Sequence, residues 1–208
     1  MRSDRIFPAY NFSKNFKIII DRDYWRNKDQ VLPEDALVLF TDGSRADSGT
    51  GSGIFGKRPK GSFSFPLGKF ATVFQTEIYA IFQCACENIR RAYKNKRILI
   101  FSDSQAALRA LGSPKVTSGL VAECLNVLLT LASLNKLTLI WVPGHCSVQG
   151  NEEADKLAKQ ASATPLLGPE PALGIPKCSA REVMKNWTEN QHYKAWRNIQ
   201  VTDMASSS

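Results

Sequence analysis

Four acidic residues stand where apolar elements end or helices begin. Asp42 directly follows the run Ala36-Leu37-Val38-Leu39-Phe40-Thr41, Asp103 comes just after Ile98-Leu99-Ile100-Phe101, Glu77 falls in the first turns of a helix, and Asp155 lies on the helix after the last apolar run. Carboxylates gathered at the mouths of apolar strands repel one another and resist ionising unless a cation joins them. An all-oxygen site selects hard ions, Mg²⁺ with Mn²⁺ as the alternative, and no His and Cys cluster here has zinc-ligand spacing. Two such ions about 4 Å apart can activate a water and stabilise the leaving oxygen of an in-line phosphoryl displacement. Read singly, each acid has an ordinary explanation. Asp42 can form a turn before Gly43, Asp103 can cap a helix, and Glu77 and Asp155 can be exposed helix residues.

The elements that must position these acids can be read from periodicity. Residues 36–41 form a continuous apolar run of strand length, and Gly49–Phe55 and Gly61–Leu67 read as two more strands joined through Lys57-Arg58-Pro59-Lys60. Val73, Glu77, Ile81, Ala85 and Ile89 recur at four-residue steps, which predicts a helix ending among Arg90, Arg91 and Lys94. Residues 98–101 predict a fourth strand, with Ser102-Asp103-Ser104 capping a helix from Gln105 that Gly112-Ser113-Pro114 breaks. Val116–Ser133 predicts a further helix and Leu137–Val142 a fifth strand. Pro143–Gly150 reads as a loop, and Asn151 as the cap of a helix running to Ala163. The sum is an α/β fold: a five-stranded mixed sheet, three antiparallel strands then two parallel, with helices on both faces. Residues 1–35 read as a lead-in segment, 36–163 as the domain, 164–178 as a Pro-rich linker and 179–208 as a helical tail. Trp187, His192, Tyr193 and Trp196 in that tail are expected to dock on the domain, with base stacking as the other reading.

The 208 residues, 43% of them apolar, suffice for one well-packed core and exclude disordered or low-complexity classes. There is no run of 18 apolar residues and no apolar leader with a cleavage site, so no membrane association is expected. Five cysteines without a C-x-x-C pair suit an intracellular, reducing location, cytoplasm or nucleus. The 27 Lys and Arg outnumber the 19 Asp and Glu, and residues 36–165 alone hold 15 basic against nine acidic side chains. Such a surface suits a phosphate backbone, although a merely soluble basic protein has the same balance. Gly51-Ser52-Gly53-Ile54-Phe55-Gly56 spells a dinucleotide-binding pattern but leads into a basic Pro-containing turn instead of a helix, which argues against that fold. A G-K-[ST] phosphate loop and a G-x-S-x-G elbow are both absent.

The words around the acids are Thr41-Asp42-Gly43-Ser44, Thr76-Glu77-Ile78-Tyr79-Ala80, Ser102-Asp103-Ser104-Gln105-Ala106-Ala107-Leu108, Trp141-Val142-Pro143-Gly144-His145, and Gly150-Asn151-Glu152-Glu153-Ala154-Asp155. In that order, over residues 36–163, they resemble type 1 ribonuclease H. The likeness is greatest to the RNase H domain that follows reverse transcriptase in LINE-like (non-LTR) retrotransposons. The resemblance implies an RNase H-like fold, cleavage of the RNA strand of RNA–DNA hybrids, and two Mg²⁺ or Mn²⁺ ions held by Asp42, Glu77, Asp103 and Asp155. It implies His145 as the loop histidine that aids proton transfer or product release. As substrate contacts it implies Gly43 and Ser44 against the RNA strand, Gln105 in the minor groove and Thr72 on a phosphate of the DNA strand, with Asn151 and Glu152 completing the set. Glu152 fits equally an outer position near the metals or a helix-start acid. The implied partners are a hybrid and, in a polyprotein, a reverse transcriptase domain, with the chain itself a monomer.

The sequence also departs from the family pattern. Val73-Phe74 stands where cellular enzymes carry two polar amides, and Ser147 where the histidine loop commonly has Gly. Pro114–Asn135 holds only Lys115 where many stand-alone enzymes carry a basic handle. Lys57, Arg58 and Lys60, or the Arg90–Arg97 cluster, would replace that handle, or are solvated charges. These departures leave two alternatives to the ribonuclease: a catalytically weak hybrid-binding fragment, and a related nuclease that cuts duplex DNA.

Overall fold

The computed structural model describes residues 3–22, 32–144, 146–170 and 172–205, with side chains to 197. In chain order the elements are strands β1 (Arg5–Tyr10), β2 (Lys17–Ile19), β3 (Leu37–Ala46), β4 (Gly49–Arg58) and β5 (Lys60–Gly68), helix α1 (Val73–Arg90), β6 (Arg97–Ser102), α2 (Gln105–Gly112), β7 (Lys115–Ser118), α3 (Gly119–Leu134), β8 (Lys136–Trp141), α4 (Gln149–Ala163) and α5 (Lys177–Ala205). The main sheet runs β2-β8-β6-β3-β4-β5. Strands β3, β4 and β5 pair antiparallel, and β3, β6, β8 and β2 pair in parallel. A mixed α/β sheet with helices on both faces is therefore what the chain forms.

The sheet has six strands rather than five, because Lys17–Ile19 of the lead-in adds to β8. Three residues are too few to show a period in sequence. A second, two-stranded sheet joins β1 to β7. The predicted helix from Val116 is corrected here: Lys115–Ser118 is strand, and α3 starts only after Ser118, whose side chain accepts from the Val121 N–H. Val116 stands four residues before Leu120 and eight before Cys124, so an edge strand imitates the helical spacing that follows it. Strand β3 also runs on to Ala46, which places Asp42 inside a strand and not in a turn after one.

Alternation along the central strands divides the core. Leu39, Ile98, Ile100, Leu137 and Leu139 face α1, α2 and α3, meeting residues such as Ile78, Ile81, Leu108, Leu125 and Leu128. Val38, Phe40, Leu99, Phe101 and Ile140 face the other way, with Ala154 of α4 among them. Helix α4 presents small buried residues, Ala154, Ala158 and Ala161, and lies directly on β4. That contact explains the glycine-rich decoy. A Cβ at Gly53 would stand 2.5 Å from the Ala158 nitrogen, and one at Gly51 would stand 2.5 Å from the Ser162 nitrogen.

The segment read as a linker is fastened down as well. The Glu170 carboxylate accepts from the Lys69 N–H at 3.1 Å, the Gly174 carbonyl accepts from Gln75 Nε2 at 2.8 Å, and Ile175 bridges to Ser3. Helix α5 begins at Lys177, two residues before the expected start. The expected docking of its aromatic residues is not seen: Trp187, Tyr193 and Trp196 are 57–65% exposed, and His192 is exposed too.

Gly53→Ala is expected to lower stability by about 1–3 kcal/mol, the scale of forcing extra volume into a packed contact. Gly61→Ala, whose nearest neighbour would be 3.8 Å from the new Cβ, is expected to change it by less than about 1 kcal/mol. Urea midpoints at constant slope measure both.

Candidate active site

The acids meet because of strand register. In the parallel pair β3–β6, Phe40 lies beside Phe101 and Thr41 beside Ser102, so the next residues, Asp42 still within β3 and Asp103 just past the end of β6, stand side by side. The Phe40 and Phe101 rings stack beneath them with centroids 4.8 Å apart, and Thr41 Oγ1 donates to the Phe101 carbonyl at 3.1 Å.

Glu77 arrives from the opposite face on α1. Thr72 caps this helix in a reciprocal pair: its hydroxyl accepts from the Gln75 N–H, and Gln75 Oε1 accepts from the Thr72 N–H. Ser52 Oγ holds the same turn by donating to the Thr76 carbonyl at 2.6 Å. Gly43 lets α1 come this near, since a Cβ there would stand 2.6 Å from the Glu77 nitrogen and nearer still to Thr76 Oγ1. The glycine is thus required by helix packing, and its N–H pulls the Asp42 and Glu77 carboxyls downward.

The result is a cluster in which carboxylate oxygens of Asp42, Glu77 and Asp103 all lie within 4.8 Å of one another. Asp42 and Glu77 are buried and Asp103 is half-buried. Burial first, then the Asp103 charge, pushes the Asp42 carboxyl up to about 7, the opposing pull of the Gly43 N–H outweighing the smaller push of the Asp155 charge alone. Burial and the charges of Asp42 and Asp103 hold Glu77 well above the usual carboxylate range. Glu77 Oε2 is buried without a hydrogen-bond partner. Oxygen donors only, mutual repulsion and an orphaned buried oxygen fit a hard divalent cation.

Asp155 lies outside the three-acid cluster but is near enough to Asp42 to hydrogen-bond to it. It is half-buried on α4, and Lys159 one turn on holds its Oδ2 at 2.7 Å. The sequence reading missed Lys159, although the four-residue spacing announces it. Trp141 was missed as well. Its Nε1 donates to the Asp103 carbonyl at 3.0 Å, and nothing local in the sequence signals this link.

Of the two predicted caps, the Ser102–Ser104 stretch does cap α2 and Asn151 does not cap α4. Ser104, not Asp103, caps α2 by accepting from the Ala107 N–H, which leaves the Asp103 carboxylate to the site. At α4 the cap position belongs to Val148, which offers no side-chain bond, so Asn151 is not the cap. Asn151 is buried and its Nδ2 donates to Asp103 Oδ2 at 3.2 Å, while its Oδ1 has no partner. Glu152 is exposed in the first turn of α4, at the end favourable to acids. Ser44 and Gln105 are half-buried in β3 and at the start of α2. His145 lies outside the described residues. The loop beside it passes close to the site, since a Cβ on Gly144 would stand 2.8 Å from Asp103 Oδ2. Ser147 has φ +59°, the left-handed conformation that glycine adopts freely, which accounts for the family's usual glycine there.

Residues 34–163 match the family model for RNase H. The chain belongs to the RNase H family. No curated protein matches it. Membership implies a nuclease, RNA paired with DNA as its substrate, and divalent ions at the acidic cluster of this RNase H domain. No helix among the described residues is long and apolar enough to cross a membrane.

Both raised carboxylates favour the protonated form of the fold. In metal-free protein these two groups are therefore expected to contribute stability that is fully present near pH 4 and lost as pH rises through about 7. Mg²⁺ is expected to raise the melting temperature more at pH 8 than at pH 5, because binding needs the ionised carboxylates. Asp42→Asn is expected to stabilise the metal-free protein at pH 8 by about 1–3 kcal/mol, at about 2–4 °C per kcal/mol. It should also abolish most of the Mg²⁺-dependent rise. Thermal melts across pH with and without Mg²⁺ test all three.

Proposed function

We propose that the protein is an endoribonuclease that hydrolyses the RNA strand of RNA–DNA hybrids by two-metal-ion phosphodiester cleavage, in a domain of retrotransposon origin. The observation that carries this reading is the convergence of Asp42, Glu77 and Asp103 within 4.8 Å, with Glu77 Oε2 buried and unpartnered. These three, with Asp155 beside Asp42, would hold Mg²⁺ or Mn²⁺, two ions per site. Such ions supply an activated water and stabilisation of the leaving oxygen.

The chain's own groups have definite tasks in this reading. Asn151 and Trp141 fix Asp103 through its carboxylate and its carbonyl. Lys159 holds the Asp155 carboxylate in place through its Oδ2. His145, in the loop between β8 and α4, moves a proton or helps product leave. The Gly43 and Ser44 backbone and Gln105 meet the RNA strand, where 2′-hydroxyls distinguish RNA from DNA. Exposed Glu152 lies at the edge of that surface. Thr72 is directed at Gln75 Oε1 at 3.4 Å, a weak bond that a phosphate of the DNA strand can replace.

One observation favours a second reading, a hybrid-binding fragment that leans on a reverse transcriptase domain for affinity: α3 has no basic residue in its last turn, and Lys115 is the sole cation of residues 114–135. The test is cleavage of end-labelled hybrid beside matched RNA and DNA duplexes, with Asp103→Asn as control. The expected result is Mg²⁺-dependent cutting of the hybrid alone, with the variant slower by about 10²–10³-fold or more, the scale of losing one charge-stabilising group. Hybrid binding without cleavage would favour the second reading, and cutting of duplex DNA would reassign the substrate.

A further inference from the structure

The lead-in segment is fastened at both ends and displays aromatic rings between the fastenings. At one end the Asp4 carboxylate accepts from the Ser118 hydroxyl at 2.8 Å and the Leu120 N–H at 2.9 Å, which anchors it to the start of α3. At the other, Lys14 Nζ donates to the Gly112 and Ser113 carbonyls at 3.2 and 3.3 Å, closing the C-terminal end of α2, and the Asn11 N–H donates to the Pro114 carbonyl at 2.8 Å. Between them, β1 pairs with β7, and Phe7 and Tyr10 on the strand and Phe12 just after it are 95%, 61% and 83% exposed. No other large apolar side chain described within residues 3–163 exceeds 46%. Tyr10 and Phe12 stack with centroids 6.0 Å apart and planes 10° from parallel.

Exposed cations neighbour this segment in the chain and across the small sheet. Arg5 and Lys17 flank the rings in sequence, Lys115 pairs with Tyr10 across the small sheet, and Arg109 lies on the last turn of α2; all four are exposed. Asp4 turns both carboxylate oxygens to hydrogen bonds with α3 and its cap. Exposed rings interleaved with cations form the surface on which unpaired bases stack while their phosphates are neutralised. Bases inside a duplex have no free face to offer, so the occupant is single-stranded. Location agrees: α2 begins two residues after Asp103 and its eight residues span about 12 Å to the break before β7, a reach of a few nucleotides.

We propose that the β1–β7 sheet and the segment that follows β1, through Phe7, Tyr10 and Phe12 with Arg5 and Lys115 and the nearby exposed Lys17 and Arg109, form a binding platform for the single-stranded nucleic acid that extends from a hybrid held at the carboxylate cluster. It supplies the nucleic-acid grip that residues 114–135 lack, and it rests on the hybrid-cleavage reading above.

The test is binding of the whole chain, in EDTA so that nothing is cut, to a blunt hybrid and to hybrids extended by about ten unpaired nucleotides on the DNA or on the RNA strand. The expected result is at least about tenfold tighter binding of an extended hybrid, with the two arms telling which strand is gripped. Phe7→Ala/Tyr10→Ala/Phe12→Ala should lose that gain while keeping blunt-hybrid affinity and melting temperature. Phe7→Ala alone, at a nearly fully exposed position, should lose part of it without any effect on folding. Equal affinity for blunt and extended hybrids, or a triple variant that keeps the gain, overturns the proposal. So does a triple variant whose only change is loss of self-association, since the patch would then face a second copy. Cleavage of blunt hybrid with no gain from an extension overturns this inference alone. A gain without cleavage overturns the nuclease reading alone.

Discussion

Three carboxylates within 4.8 Å of one another repel, and the molecule has to hold them together before any cation arrives. The force that does so is packing on the two faces of β3 and β4. Glycines at 51 and 53 admit α4 on one face, and Gly43 admits α1 on the other. The hydrophobic contacts of two helices are thereby set against the desolvation and repulsion of Asp42 and Glu77. Stacked Phe40 and Phe101 give the acids a rigid floor. A cation relieves a strain that the core imposes, so metal binding and stability are two readings of one balance.

The acids were legible in the sequence because each sits beside a strong periodic signal: two buried strands and two helices. Their convergence was not, since register between β3 and β6 is a long-range property. Local reading also misassigned what helices need at their ends. Asn151 looks like a cap by type and position, yet it is buried and spends its amide on Asp103. The pattern Gly51-Ser52-Gly53 was correctly denied a nucleotide, and its true cause, the close passage of α4, is a tertiary contact that no local word encodes.

What escaped the sequence most completely were the short edge strands and the segments flanking the central domain. Strands β2 and β7 are three and four residues long, below the length at which alternation can be counted. They exist because of partners distant in the chain: β8 for the one, β1 and the Asp4 carboxylate for the other. The Pro-rich stretch looked like a tether by composition. Its Glu170, Gly174 and Ile175 nevertheless make specific hydrogen bonds or pairing to Lys69, Gln75 and Ser3.

The Ser3–Ile175 bridge brings together segments from opposite sides of the nuclease domain, and the Asp4 N–H donates to the Ile175 carbonyl at 3.0 Å. These are contacts of great sequence separation, like the bond from Leu120 to Asp4 across 116 residues and that from Lys69 to Glu170 across 101. Loop-closure entropy makes such contacts costly until the intervening chain is already compact. On the ribosome, the domain can condense once α4 has emerged, but the seam that locks β1 and the start of α1 in place must wait for Gly174 and Ile175. A chain stalled before those residues would carry a formed carboxylate cluster on a domain whose entry segment has not yet been stitched shut.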